Sequence, residues 1–134
     1  MRNSLPAIKL GAFYAASIFL VGFALGTLRV LVIAPRFGEL LAVLIELPII
    51  LGLSWVVFGW LARRHNPPLS SARCMISITA FVVLIGLEAL SAAFVTDGGV
   101  MAFIANWLTL AGALGLAGQV GFALIPRLHP AARN

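Results

Sequence analysis

The chain has 134 residues, of which 62% are hydrophobic and only 10% are charged, and its mean hydropathy is +1.10. A soluble domain is roughly 45–50% apolar and about 25% charged, so a water-soluble fold is excluded, and disorder is excluded because it requires low hydrophobicity. The net charge is +5, but the cations lie at the ends of apolar runs, so we expect a lipid bilayer and not nucleic acid as the partner.

Four apolar runs follow one another along the chain, at about residues 8–34, 40–62, 74–95 and 100–125. Each has at least about the 20 residues needed to cross a hydrocarbon core of roughly 30 Å. Each must be helical, because a membrane barrel requires at least about eight strands of alternating polarity. The first run exceeds the apolar core of a signal peptide, so we expect it to be retained. The sequence therefore predicts an all-α integral membrane protein with one transmembrane domain, 1–134.

Proline marks the expected helix ends, and the cations set the expected orientation. Pro35, the turn Asn66-Pro67-Pro68 and Pro126 follow the first, second and fourth runs. If the helices alternate in direction, Arg36 stands alone on one side, and the other side holds seven cations: Arg2, Lys9, Arg63, Arg64, Arg73, Arg127 and Arg133. This bias predicts cytoplasmic N- and C-termini in an inner membrane. The short loops predict an up-down-up-down bundle in which sequence neighbours pack together.

Four polar residues are expected to form one layer inside the membrane. Arg29, Glu46 and Glu88 lie five to seven residues below the outer ends of the first three spans. At 1.5 Å per residue, this places them roughly 8–11 Å below the outer surface. Asn106 falls at a similar depth in the fourth span, whereas Gln119 is expected at a different level. Ionisable residues in a membrane cost about 2.5–3.5 kcal/mol each at mid-helix, so this layer is the candidate site.

The first hairpin contains two possible ion pairs. Residues at one level of an antiparallel pair have position numbers with a constant sum, and both Arg29 with Glu46 and Arg36 with Glu39 add to 75. The arginines are seven apart, and so are the glutamates, so each set shares one helix face. We expect a rim pair, Arg36–Glu39, and a deeper pair, Arg29–Glu46. The deeper pair either fixes the hairpin register or belongs to a functional site.

Glu88 has no evident cationic partner in the sequence. Such a carboxylate takes up a proton or recruits a cation. Three roles are open: a protonated structural acid, a residue that couples proton or substrate movement, and a contact to a partner subunit.

Small residues recur at helical spacing in the first and fourth spans. The first span has Gly22 and Gly26, and the fourth has a stripe at intervals of four: Ala105, Thr109, Ala113, Ala117 and Gly121. Such faces let membrane helices approach closely. The stripes predict helix packing and a possible homo-oligomer or membrane-protein partner.

The expected function is non-enzymatic. No histidine lies in a predicted span, and Cys74 is the only cysteine, so we expect no catalytic dyad, no metal site and no cofactor. The leading interpretation is a small inner-membrane protein that acts through helix contacts, as an accessory or self-assembling component. The alternative is a proton- or cation-coupled transporter or channel that uses Arg29, Glu46 and Glu88.

In size and number of spans, the chain resembles the small multidrug-resistance transporters, four-helix proteins that work as dimers. The essential glutamate of that family lies in its first span. The first span here contains Arg29 and no acid, and the acids lie in the second and third spans. The resemblance therefore implies the architecture but not the transport mechanism.

Overall fold

The structure is a computed structural model that describes residues 4–65, 71–95 and 97–129. These residues are helical apart from short turns, and no strand occurs among them. Four helices are long and apolar enough to cross a membrane: Pro6–Phe37, Glu39–Arg64, Ala72–Phe94 and Leu110–Leu128. The predictions of an all-α chain and of four apolar helices are confirmed. Arg2, the turn Asn66-Pro67-Pro68 and Arg133 lie outside the described residues.

The first span is longer than predicted and is not a uniform α-helix. Helix α1 is Ser4–Leu28, a π-helical segment covers Arg29–Ile33, and α2 is Ala34–Phe37. Pro35 does not end the span, because it occupies the first turn of α2, where a missing N–H costs little. The helix ends at Gly38, whose φ of 89° is in the left-handed region that favours glycine.

The second and third spans are single helices, α3 (Glu39–His65) and α4 (Ser71–Val95). Pro48 lies inside α3 without ending it. Helix α3 extends the predicted span 40–62 at both ends, whereas α4 begins before the predicted span 74–95 and ends at the same residue.

The prediction of a single helix for the fourth span is wrong, because two helices occupy this part of the chain. Helix α5 is Gly99–Asn106 and α6 is Leu110–Leu128. Thr109 between them is extended (φ −85°, ψ 157°), and its hydroxyl accepts a hydrogen bond from the Gly112 N–H at 2.9 Å. This is an N-cap, which starts a new helix instead of continuing the old one.

The four long helices are arranged in a ring in the order α1, α3, α6, α4. Helix α1 packs against α3 and α4, and so does α6, while α3 and α4 make no backbone-level contact within the described ranges. The expectation that sequence neighbours pack together therefore fails for the second and third spans. The α1–α4 contact is close because Gly11 lies against Thr79 and the Ile76 carbonyl, where a Cβ atom would be only 2.8 Å from its neighbours.

One end of the bundle is filled by an aromatic core. Tyr14 is fully buried, stacks on Phe122 at 4.3 Å between ring centroids, and meets Phe58 edge-on at 5.6 Å. Its hydroxyl donates a hydrogen bond to the Phe122 carbonyl at 2.8 Å. Pro126 has no N–H to bond that carbonyl four residues earlier, so Tyr14 provides the missing donor.

Arg73 closes the same end of the bundle. It is fully buried in the first turn of α4, and its Nη1 donates to the carbonyls of Pro126 (2.9 Å) and His129 (2.7 Å). Its guanidinium also lies 5.3 Å from the centre of the Phe58 ring. A cation at the carboxyl end of a helix satisfies carbonyls that have no partner within the helix. Arg73 thus ties α4 to the end of α6.

Candidate functional site

The other half of the bundle contains a cavity of about 540 Å³. All four residues of the predicted polar layer line it: Arg29, Glu46, Glu88 and Asn106. It extends along α3 from Glu39 at the first turn to Ile50, and it stops at Ile18 and Phe122 above the aromatic core. The structure therefore brings the predicted layer together around one partly open space between the helices.

Arg29 forms two ion pairs at the wall of this cavity. Its Nε lies 2.9 Å from Glu46 Oε2, and its Nη1 lies 3.1 Å from Glu39 Oε1. Glu46 is mostly buried, whereas the side chain of Glu39 is 57% exposed. The planar guanidinium presents several N–H groups in a fixed fork, which lets one arginine hold two carboxylates. The predicted Arg29–Glu46 pair is present in the structure.

The prediction of a rim pair between Arg36 and Glu39 is wrong, because Glu39 has a different arginine as its partner. Glu39 pairs with Arg29, and Arg36 is exposed and takes part in neither of the two ion pairs within the described ranges. The cause is the π-helical segment that begins at Arg29 and is marked by the Ala34 N–H bonding the Arg29 carbonyl. A π turn contains more residues than an α turn, so Arg36 does not return to the face that carries Arg29.

Glu88 on α4 is bound by a neutral partner, Gln119 on α6. The Gln119 Nε2 donates a hydrogen bond to Glu88 Oε2. The sequence placed Gln119 at a different level because its depth was counted along an unbroken fourth span. Since α6 begins only at Leu110, Gln119 lies closer to the start of its helix than an unbroken fourth span predicts. The Thr109 cap was the sequence signal that could have shown this.

Asn106 lies at the end of α5, where the fourth span breaks. Its carbonyl accepts hydrogen bonds from the Thr109 N–H (3.0 Å) and hydroxyl (2.7 Å). The break also divides the predicted stripe of small residues. Ala105 and Thr109 do not continue the face of α6, which keeps Ala113, Ala117 and Gly121. Of these, Ala113 and Ala117 are exposed on the surface of the helix bundle.

Three glycines create space for the cavity instead of a close helix contact. Gly22 and Gly26 line it, and a Cβ atom on either would lie 3.7–3.9 Å from its nearest neighbour, which is ordinary contact. A Cβ atom on Gly115 would meet nothing within 4 Å. The close approach expected at Gly22 and Gly26 is therefore wrong, because the small residues that pack tightly lie elsewhere.

The remaining walls are apolar and aromatic. Phe103 and Trp107 at the α5–α6 junction lie edge to face at 5.2 Å between centroids, and Phe19 and Phe23 on α1 lie 6.0 Å apart. An apolar cavity with a few convergent polar groups is the usual form of a small-molecule site.

The described residues contain no group of three or more histidine, cysteine, aspartate or glutamate side chains placed to hold a metal ion. No family model, curated protein or solved structure matches the chain, so the site rests on its own geometry.

Proposed function

We propose that this protein is a small, non-enzymatic transporter or channel of the inner membrane, coupled to a proton or cation at Glu88. The observation that carries this proposal is the cavity of about 540 Å³ that reaches Glu88 between the four spans. The sequence leaves two interpretations. A dry polar layer with every group paired would favour a purely structural role, whereas an open cavity favours transport.

The charges of the cavity support coupling at Glu88. Arg29 is shared between Glu39 and Glu46, and within the described ranges Glu88 forms no ion pair. Among the residues that the structure describes, its hydrogen-bond partner is the neutral amide of Gln119. A carboxylate that is not neutralised by a cation of the protein can exchange a bound proton for a bound cation, which is the elementary step of coupled transport.

The proposed orientation has both termini in the cytoplasm, as the distribution of cations favours. Gly38 and Glu39 then lie on the outer side, and the aromatic core around Tyr14 lies toward the cytoplasm. In this orientation the cavity extends toward the outer side as far as Glu39, and Tyr14, Phe58 and Phe122 fill the bundle between it and the cytoplasm.

The test is a flux measurement in liposomes with Glu88→Gln and Gly115→Leu. Both changes should abolish proton or cation flux, the first by removing the titrating group and the second by filling the cavity. Gly86→Leu is the matched control, because a Cβ atom there also meets nothing within 4 Å but Gly86 does not line the cavity. Flux that survives both Glu88→Gln and Gly115→Leu would refute the proposal.

A second candidate function is an accessory or self-assembling component, and the exposed Ala113 and Ala117 on α6 favour it. Small residues on a lipid-facing surface permit close contact with another helix. In a Cys74→Ser background, Ala117→Cys should form a disulfide between copies, while Val82→Cys, exposed on α4, should not. Equal crosslinking at both positions, or none at Ala117, would count against this function.

A further inference from the structure

Glu88 and Gln119 present hydrogen-bond acceptors in the wall of the cavity. Both line it, and the Gln119 Nε2 is used in the bond to Glu88. The Gln119 Oε1 is buried and has no hydrogen-bond partner within the described residues. A buried carbonyl without a partner is costly, at about 1–3 kcal/mol. A ligand that brings N–H donors would satisfy this oxygen and the carboxylate together.

The number and kind of these acceptors favour an N–H cation over a bare metal ion. A hard cation such as calcium takes roughly six to eight oxygen ligands. Glu88 and Gln119 together offer one carboxylate and one amide oxygen. An ammonium group carries two or three directed donors, which fits such a pair and also neutralises Glu88.

The rest of the cavity fits an apolar body attached to that cation. Its lining includes the aromatic side chains of Phe19, Phe23, Phe103 and Trp107. Aromatic faces attract cations and bury apolar groups. The volume of about 540 Å³ lies in the range of sites for small organic molecules.

We propose that the cavity binds a primary or secondary organic amine in its protonated form, with its N–H groups on Glu88 and Gln119 and its apolar body among the aromatic side chains. This inference rests on the proposed function and names its substrate class. It makes Gln119 a specificity-determining residue, since the amide oxygen distinguishes a cation that has N–H donors from one that has none.

The test is isothermal titration of the purified protein in detergent with three matched probes. The probes are phenethylammonium, its trimethylated quaternary analogue, which has no N–H, and the neutral 2-phenylethanol. We expect phenethylammonium to bind at least about tenfold more tightly than either of the others. Gln119→Leu should weaken phenethylammonium about tenfold and leave the quaternary analogue unchanged, since one hydrogen bond to a charged group is worth at least that factor.

Two controls show whether the binding site is the cavity. Gly115→Leu should abolish binding of phenethylammonium, and Gly86→Leu should leave it at the wild-type level. Equal affinity for 2-phenylethanol, or an equal effect of Gln119→Leu on both cations, would overturn the inference.

The failure of this inference can be told apart from failure of the proposed function. If phenethylammonium does not bind but flux remains sensitive to Glu88→Gln, the amine class is wrong and transport stands. If phenethylammonium binds with the expected dependence on Gln119 but no flux occurs, the inference stands as a binding site and transport is wrong.

Discussion

The two halves of the bundle use polar side chains in opposite ways. Around the aromatic core, Tyr14 and Arg73 donate to backbone carbonyls of α6. Around the cavity, Arg29 bonds to carboxylates and Gln119 bonds to Glu88, so side chains pair with side chains. A bond to the backbone holds one helix against another, while a bond between side chains can be exchanged for a ligand without moving a helix. One half is therefore held by bonds to the backbone, and the other offers side-chain groups that a ligand can engage.

Glycine shows the same contrast. Gly11 and Gly59 in the filled half each have a neighbour 2.8 Å from the position of a Cβ atom, so no larger residue fits without a shift. Gly22, Gly26 and Gly115 beside the cavity have room for a side chain. The contrast is not complete, because Gly112 and Gly118 also line the cavity, and a Cβ atom there would clash with the Asn106 carbonyl and with Leu47.

The largest effect is expected from Arg73→Ala in the filled half. It removes a buried cation and leaves the carbonyls of Pro126 and His129 without their donor. The free energy of unfolding should fall by about 3 kcal/mol, measured by titration with SDS and followed by tryptophan fluorescence. Arg127→Ala, at an exposed position of α6, is the control and should change it little. Equal effects of the two changes would show that the contacts of Arg73 with the end of α6 do not stabilise the filled half.

The second-largest effect is expected from alanine substitution at one of two glycines of α6, Gly112 and Gly115, which lie three residues apart. Gly112→Ala should destabilise the protein by about 2 kcal/mol, because its Cβ atom would lie 1.8 Å from the Asn106 carbonyl oxygen, which belongs to the backbone. Gly115→Ala should be neutral or stabilising, by up to about 1 kcal/mol, because alanine favours a helix and space is free. The same SDS titration measures both. Similar losses at both positions would show that the cavity is closed in solution.

The smallest effect is expected from Tyr14→Phe. The change removes only the hydroxyl that bonds the Phe122 carbonyl, so the loss should be about 1 kcal/mol. Pro126→Ala supplies an N–H four residues after that carbonyl. Tyr14→Phe should therefore lower the free energy of unfolding less in a Pro126→Ala background than in the wild type. Additive effects in this double-mutant cycle would mean that the hydroxyl does not replace the missing backbone bond.

Much of the cavity could be predicted because it depends on regular features. Hydropathy locates apolar helices whatever their packing, and the constant sum of positions in an antiparallel hairpin gave Arg29–Glu46. Glu88 and Asn106 followed from depth alone, at 1.5 Å per residue. The depth rule holds where the helix is regular, as α4 is at Glu88 and α5 is up to Asn106.

The errors arise where a helix is irregular or a charge is buried. Because of the π-helical segment at Arg29, Glu39 pairs with Arg29 and not with Arg36. Neither hydropathy nor the constant sum of positions detects a π turn. Because the fourth span breaks before Leu110, Gln119 lies at the level of Glu88 and not at the predicted level. The charge distribution assigns Arg73 to the cytoplasmic side with six other cations, but counting charges does not show which of them lies against helix carbonyls.

The break in the fourth span also has a consequence for the surrounding lipid. The first apolar helix, Pro6–Phe37, has 32 residues and the last, Leu110–Leu128, has 19. At 1.5 Å per residue these are about 48 Å and about 28 Å long, on either side of a hydrocarbon thickness of roughly 30 Å. The long helix must tilt or project, while the short one matches the bilayer only when upright. We therefore expect the bilayer to be thinner beside α6 than beside the first helix.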